Sequence, residues 1–136
     1  MLSLKKLKLT VGLAIAMGLS ATANAIPIQT ALSIVIDGSG SISTSEFATQ
    51  RTAYADVLSD LVPTNGSAVL NVIQFSSASS TQVEQTAIRI NDATDLATLI
   101  DAINAMTRLG GSTAIGRGIE LGYTDMDTYL ASFGAG

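Results

Sequence analysis

Apolar and polar positions along this chain alternate between two periods, one suited to strands and one to helices. From Ala31 to Ile36 a short apolar run with β-branched residues stops at Asp37-Gly38, which predicts a buried strand over residues 31–36. Ser43 with Glu46 three positions later forms a capping box, and Phe47, Tyr54, Val57, Leu58 and Leu61 then recur at helical spacing. A helix over 44–61 is expected, with Phe47, Tyr54 and Leu58 turned to the core. Pro63 forbids its continuation, and Pro63-Thr64-Asn65-Gly66 has the composition of a turn.

Ala68, Leu70, Val72, Ile73 and Phe75 predict a second strand over 68–75, followed by a polar loop over 76–80 and a weaker third strand over 82–90. Leu96, Leu99, Ile100 and Ile103 make the stripe of a second helix over 93–106. A Gly-rich loop, Leu109-Gly110-Gly111-Ser112-Thr113-Ala114-Ile115-Gly116, opens a third helical pattern through Ile115, Ile119, Tyr123 and Met126. Gly116, Gly118 and Gly122 lower its helix propensity, which suits a helix lying close against a sheet. Strands alternating with helices of this length predict one α/β domain with an open, mostly parallel sheet flanked by helices.

The first 25 residues stand apart from that pattern. Lys5, Lys6 and Lys8 precede an apolar stretch from Val11 to Leu19, and Ala23-Asn24-Ala25 fits a small-residue cleavage site. Residues 1–25 therefore read as a signal peptide. Their apolar core is too short to span a bilayer, so no membrane insertion is expected after cleavage, and the product is expected to be secreted or periplasmic.

Removing that segment changes the charge. It carries all three lysines, leaving four arginines against eleven acidic residues, a balance of −7. Such a surface argues against nucleic-acid binding, which draws on clustered Lys and Arg. Arg89, Arg108 and Arg117 are expected to be solvated. With no Cys, an exported domain has no disulfides and relies on its core. With neither His nor Cys, it also has no Ser-His-Asp or Cys-His arrangement.

What remains chemically is the loop after the first strand. Asp37, Ser39 and Ser41 present oxygen side chains at alternate positions, separated by Gly38 and Gly40. Oxygen donors suit a hard divalent cation, whereas Zn²⁺ asks for His or Cys. An EF-hand does not fit, because Ile42 and Ala48 occupy the positions that require Gly and Glu. Neither Gly-rich loop reads Gly-x-Ser-x-Gly, and Gly116-Arg117-Gly118 lacks the preceding strand of a dinucleotide fingerprint.

Asp-Gly-Ser-Gly-Ser-Ile after an apolar strand, with Gly-Gly-Ser-Thr-Ala-Ile-Gly later in the chain, resembles the von Willebrand factor type A domain. The resemblance covers about residues 30–132. It implies a Rossmann-like fold and a metal-ion-dependent adhesion site in which Asp37, Ser39 and Ser41 match Asp-x-Ser-x-Ser. Thr113, in preference to Ser112, matches the family's threonine. The family's second aspartate follows a fourth strand, and the chain ends before one; Thr124-Asp125-Met126 falls inside the third helix. The expectation is thus a partial domain over residues 26–136, the N-terminal half of a truncated fold.

The implied function is an exported adhesion module that holds Mg²⁺ or Mn²⁺ and recognises an acidic side chain of a protein partner, without enzymatic activity. Serine and threonine hydroxyls are neutral, so the cation would keep positive charge and open positions for a carboxylate. Arg117 could steer such a ligand. The alternatives are a metal-dependent phosphoryl-transfer or hydrolase enzyme using Asp37, and a scaffold that has lost its metal.

Overall fold

The computed structural model describes residues 26–133. The expected signal peptide lies outside the described residues. In chain order the elements are β1 (Thr30–Asp37), α1 (Thr44–Leu61), β2 (Ala68–Phe75), β3 (Gln82–Arg89), α2 (Ala93–Ala105) and α3 (Ile115–Ala131). The capping box is formed: the Ser43 hydroxyl accepts the Glu46 amide at 3.2 Å, and a Glu46 carboxylate oxygen accepts the Ser43 amide at 2.8 Å. Asp92 caps α2 by accepting the amides of Thr94 and Asp95.

The three strands form one sheet in the order β1-β2-β3. β1 and β2 run parallel, in register from Thr30 opposite Ala68 to Asp37 opposite Phe75. β3 runs antiparallel to β2. The sheet is therefore mixed where a mostly parallel one was expected. The reason is the short connection over residues 76–81, since a parallel crossover needs about a dozen residues or more.

β2 is buried along its whole length, between β1 and β3 and under helices on both faces. On one face, Ile34, Ile36, Leu70 and Val72 pack with Phe47 and Leu58 of α1 and Leu99 and Ile103 of α2. Side chains such as Leu70 and Leu99, 1% and 0% exposed, each contribute about 1.5–3 kcal/mol through burial. Tyr54 is half-buried against this cluster, while Val57 and Leu61 are exposed. Arg51 ties the two helices: its guanidinium donates to the carbonyls of Asn104 and Met106, which end α2, and sits over the Phe47 ring.

α3 covers the opposite face, where Met126 packs with Val69 and Ala87. Its glycines explain the close fit. A Cβ at Gly118 would stand 2.9 Å from Phe75 Cβ, and one at Gly122 3.2 Å from Ile73 Cγ1. A polar clamp completes the contact. The Asn71 amide nitrogen donates to the Gly122 carbonyl at 2.9 Å and to Asp125 Oδ2 at 2.7 Å, and that oxygen also accepts the Ala87 amide at 2.8 Å. Ala87 lies where the β2/β3 ladder slips between Leu70 and Val72, so Asp125 satisfies an N–H beside the irregularity. Among the described residues, no helix is long and apolar enough to cross a membrane.

Candidate metal site

The site begins where β1 stops. The Gly38 amide donates to the Phe75 carbonyl at 2.9 Å, carrying the ladder one residue past the strand. The chain then folds over its own carboxylate. Ser39 N–H donates to Asp37 Oδ1 at 2.8 Å, an Asx-type turn, and the hydroxyls of Ser39 and Ser41 lie 3.0 Å apart. Asp37 is half-buried, Ser39 fully buried and Ser41 exposed. The loop thus brings the Ser39 and Ser41 hydroxyls together and turns the Asp37 carboxylate onto the Ser39 amide.

The Gly-rich loop between α2 and α3 docks directly on this turn. Gly110 N–H donates to the Gly38 carbonyl and Gly40 N–H to the Gly111 carbonyl, each at 2.8 Å. Gly110 and Gly111 have φ of +73° and +84°, a conformation that L side chains rarely adopt. Thr113 follows Gly111 by two residues and is exposed. The β2–β3 connection closes the third side. Ala114 N–H donates to the Ser76 carbonyl at 2.7 Å, and the Ser112 amide and hydroxyl both meet Ser77 Oγ, at 3.0 and 3.2 Å. Ser112 is therefore engaged away from the Asp37 turn, which leaves Thr113 as the hydroxyl of this loop to consider.

Three contributors were not singled out as site residues in the sequence. Gln74, at the end of β2, accepts the Leu109 amide and donates to the Thr107 carbonyl, both at 3.0 Å, so it fixes the start of the Gly-rich loop. Ser77 braces Ser112. Arg108, expected to be solvated, is half-buried and donates to the Ser39 carbonyl at 3.2 Å. Only Gln74 left a trace in the sequence: with Asn71 it is one of two polar residues in an otherwise apolar strand.

Among the described residues, no basic side chain pairs with the Asp37 carboxylate. Among the described residues the only ion pair is Arg117 with Glu120 at 2.9 Å, on the exposed face of α3. Nor do the described residues contain a cluster of three or more His, Cys, Asp or Glu side chains placed to hold a metal ion. The turn thus offers one half-buried carboxylate with the hydroxyls of Ser39 and Ser41, and Thr113 is carried exposed on the loop docked against it. Hard oxygen donors around an uncompensated negative charge fit Mg²⁺ or Mn²⁺, which take few protein carboxylates.

The family model of the von Willebrand factor type A domain matches residues 32–132, a span that includes both loops. No curated protein matches the chain. Among solved structures, the crystal structure of an uncharacterized membrane spanning protein from Vibrio fischeri superposes with a TM-score of 0.53 at 20% identity. The match covers 74% of this chain and 50% of that one, so the chain spans about half the length of that protein. The likeness supports the Rossmann-like arrangement of sheet and helices.

Proposed function

The chain belongs to the von Willebrand factor type A domain family, whose members commonly mediate protein binding or adhesion. From that membership we propose an exported binding module that holds Mg²⁺ or Mn²⁺ through Asp37, Ser39, Ser41 and Thr113 and recognises an acidic group on a protein partner. The observation that carries the reading is the pair of backbone bonds between Gly38 and Gly110 and between Gly40 and Gly111, which dock the threonine loop on the aspartate turn.

Each residue has a distinct part. Asp37 supplies the one negative charge, with Oδ1 oriented by the Ser39 amide. Ser39 and Ser41 supply neutral oxygens, already adjacent, and Thr113 another from the facing loop. A cation bound to one carboxylate and neutral hydroxyls keeps net positive charge and accepts a carboxylate from outside. Export rests on the signal character of residues 1–25. Binding is favoured over catalysis because the buried Ser39 hydroxyl is bonded to another hydroxyl and the chain has no His or Cys to serve as its base.

A peptide array presenting Asp- and Glu-containing sequences tests the partner chemistry. The expected result is capture in Mg²⁺ or Mn²⁺ that EDTA reverses and that Asn or Gln replacements of the acidic residue abolish. Capture indifferent to EDTA would contradict it.

A further inference from the structure

Gln74 is 0% exposed and stands on the face of β2 that otherwise carries Leu70 and Val72. Burying an amide there is costly unless its polar atoms are satisfied. They are. Oε1 accepts the Leu109 amide at 3.0 Å, while Nε2 donates to the Thr107 carbonyl at 3.0 Å and to Glu84 Oε1 at 2.7 Å. The Leu109 N–H can only donate, which fixes the orientation of the amide.

Its partners lie on β3 and at the entry to the Gly-rich loop, and its side chain fills the space beside Gly38, where a Cβ would collide with it. A single side chain thus touches both halves of the site without reaching any of the four oxygen donors. The residue after Leu109 is Gly110, whose amide grips the Gly38 carbonyl, and the next, Gly111, receives Gly40. The path from Thr107 to Gly111 is therefore set by four consecutive bonds, of which the first two belong to Gln74. Glu84, held also by Gln82 Nε2 at 3.0 Å, keeps the amide aimed at the loop.

We propose that Gln74 is a positioning residue of the cation site, setting the start of the Gly-rich loop so that Thr113 is delivered to the Asp37 turn. The proposal rests on the binding reading given above. An apolar residue would pack on this face equally well, as Leu70 and Val72 do, but it would leave the loop entry untied.

Two measurements test it. In metal-free protein, Gln74→Leu accelerates amide hydrogen exchange at Gly40 and Gly110, neither of which bonds to Gln74. Unchanged exchange at both would overturn the proposal. In Mn²⁺ titrations, Gln74→Leu weakens affinity by about tenfold to a hundredfold, as losses of supporting residues around metal ligands do. The same substitution in a Thr113→Val background has little further effect, because its action passes through Thr113. Equal losses in both backgrounds would overturn the positioning role. Should Gln74→Leu fail to fold, Gln74→Glu carries the same tests: it keeps the length and the acceptor for Leu109 but sets an oxygen against the Thr107 carbonyl. If the unmodified protein binds no Mn²⁺, the binding reading fails while the exchange measurement still decides the role of Gln74.

Discussion

The amide of Gly40 donates to the carbonyl of Gly111 at 2.8 Å, and through this bond two loops distant in sequence become one surface. Gly111 can take part only because it lacks a side chain: its φ is +84°, and a Cβ would run into Ser77 Oγ. Gly111→Ala is expected to introduce about 1–3 kcal/mol of strain, read as a lowered urea midpoint, and to weaken Mn²⁺ binding. A variant with unchanged stability and affinity would show that the two loops are not coupled.

The helix glycines give a paired prediction. At Gly118 a Cβ meets Phe75 and Val35 at 2.9 and 3.0 Å, whereas at Gly116 it meets nothing within 4 Å. Gly118→Ala should destabilise by about 1–3 kcal/mol through overpacking. Gly116→Ala should stabilise by up to about 1 kcal/mol, the ordinary gain in helix propensity. Thermal or urea unfolding of the two variants checks both the signs and the order.

Asp125 joins helix and sheet by accepting from Asn71 and Ala87 with one oxygen. Asp125→Ala leaves the Ala87 amide without its acceptor and is expected to cost about 1–3 kcal/mol, with the smaller loss in Asp125→Asn because an amide oxygen can still accept. Equilibrium unfolding distinguishes these variants from Asp127→Ala, an exposed control on the same helix.

The capping box predicts an acid-side response. The Ser43 hydroxyl, and after it the Ser43 amide, hold the Glu46 carboxyl below its ordinary value of 4.5. A carboxyl with a lowered folded-state pKa contributes stability above its unfolded value and loses it as pH falls through the lowered one. Stability should therefore decline on acidification from about pH 4.5, and Ser43→Ala should make that decline shallower while costing about 1 kcal/mol at neutral pH. Melting curves across the acid range measure both.

The elements were legible because their signals are local. The β-branched run before Asp37, the Ser43–Glu46 pair and the Leu96–Ile103 stripe each lie within one strand or one helix and its cap, and the observed boundaries fall within one residue of those expected. The shared turn of Asp37, Ser39 and Ser41 was legible for the same reason, since neighbours in sequence remain neighbours in space there. The rest depends on distant partners. Nothing near Gln74 announces Leu109, nothing near Arg108 announces Ser39, and Asp125 gave no sign of reaching Ala87. The direction of β3 was a matter of loop length, since the connection after Phe75 is too short for a parallel return.

In the proposed function, Asp37 anchors a divalent-cation site completed from the Gly-rich loop. Calorimetric titration of Mn²⁺ into the protein and into Asp37→Ala tests it most directly, with circular dichroism confirming that both are folded. Saturable binding at one site is expected, abolished in Asp37→Ala and weakened in Thr113→Val. No Mn²⁺ or Mg²⁺ binding by the folded parent protein, or binding unaltered in Asp37→Ala, would contradict it.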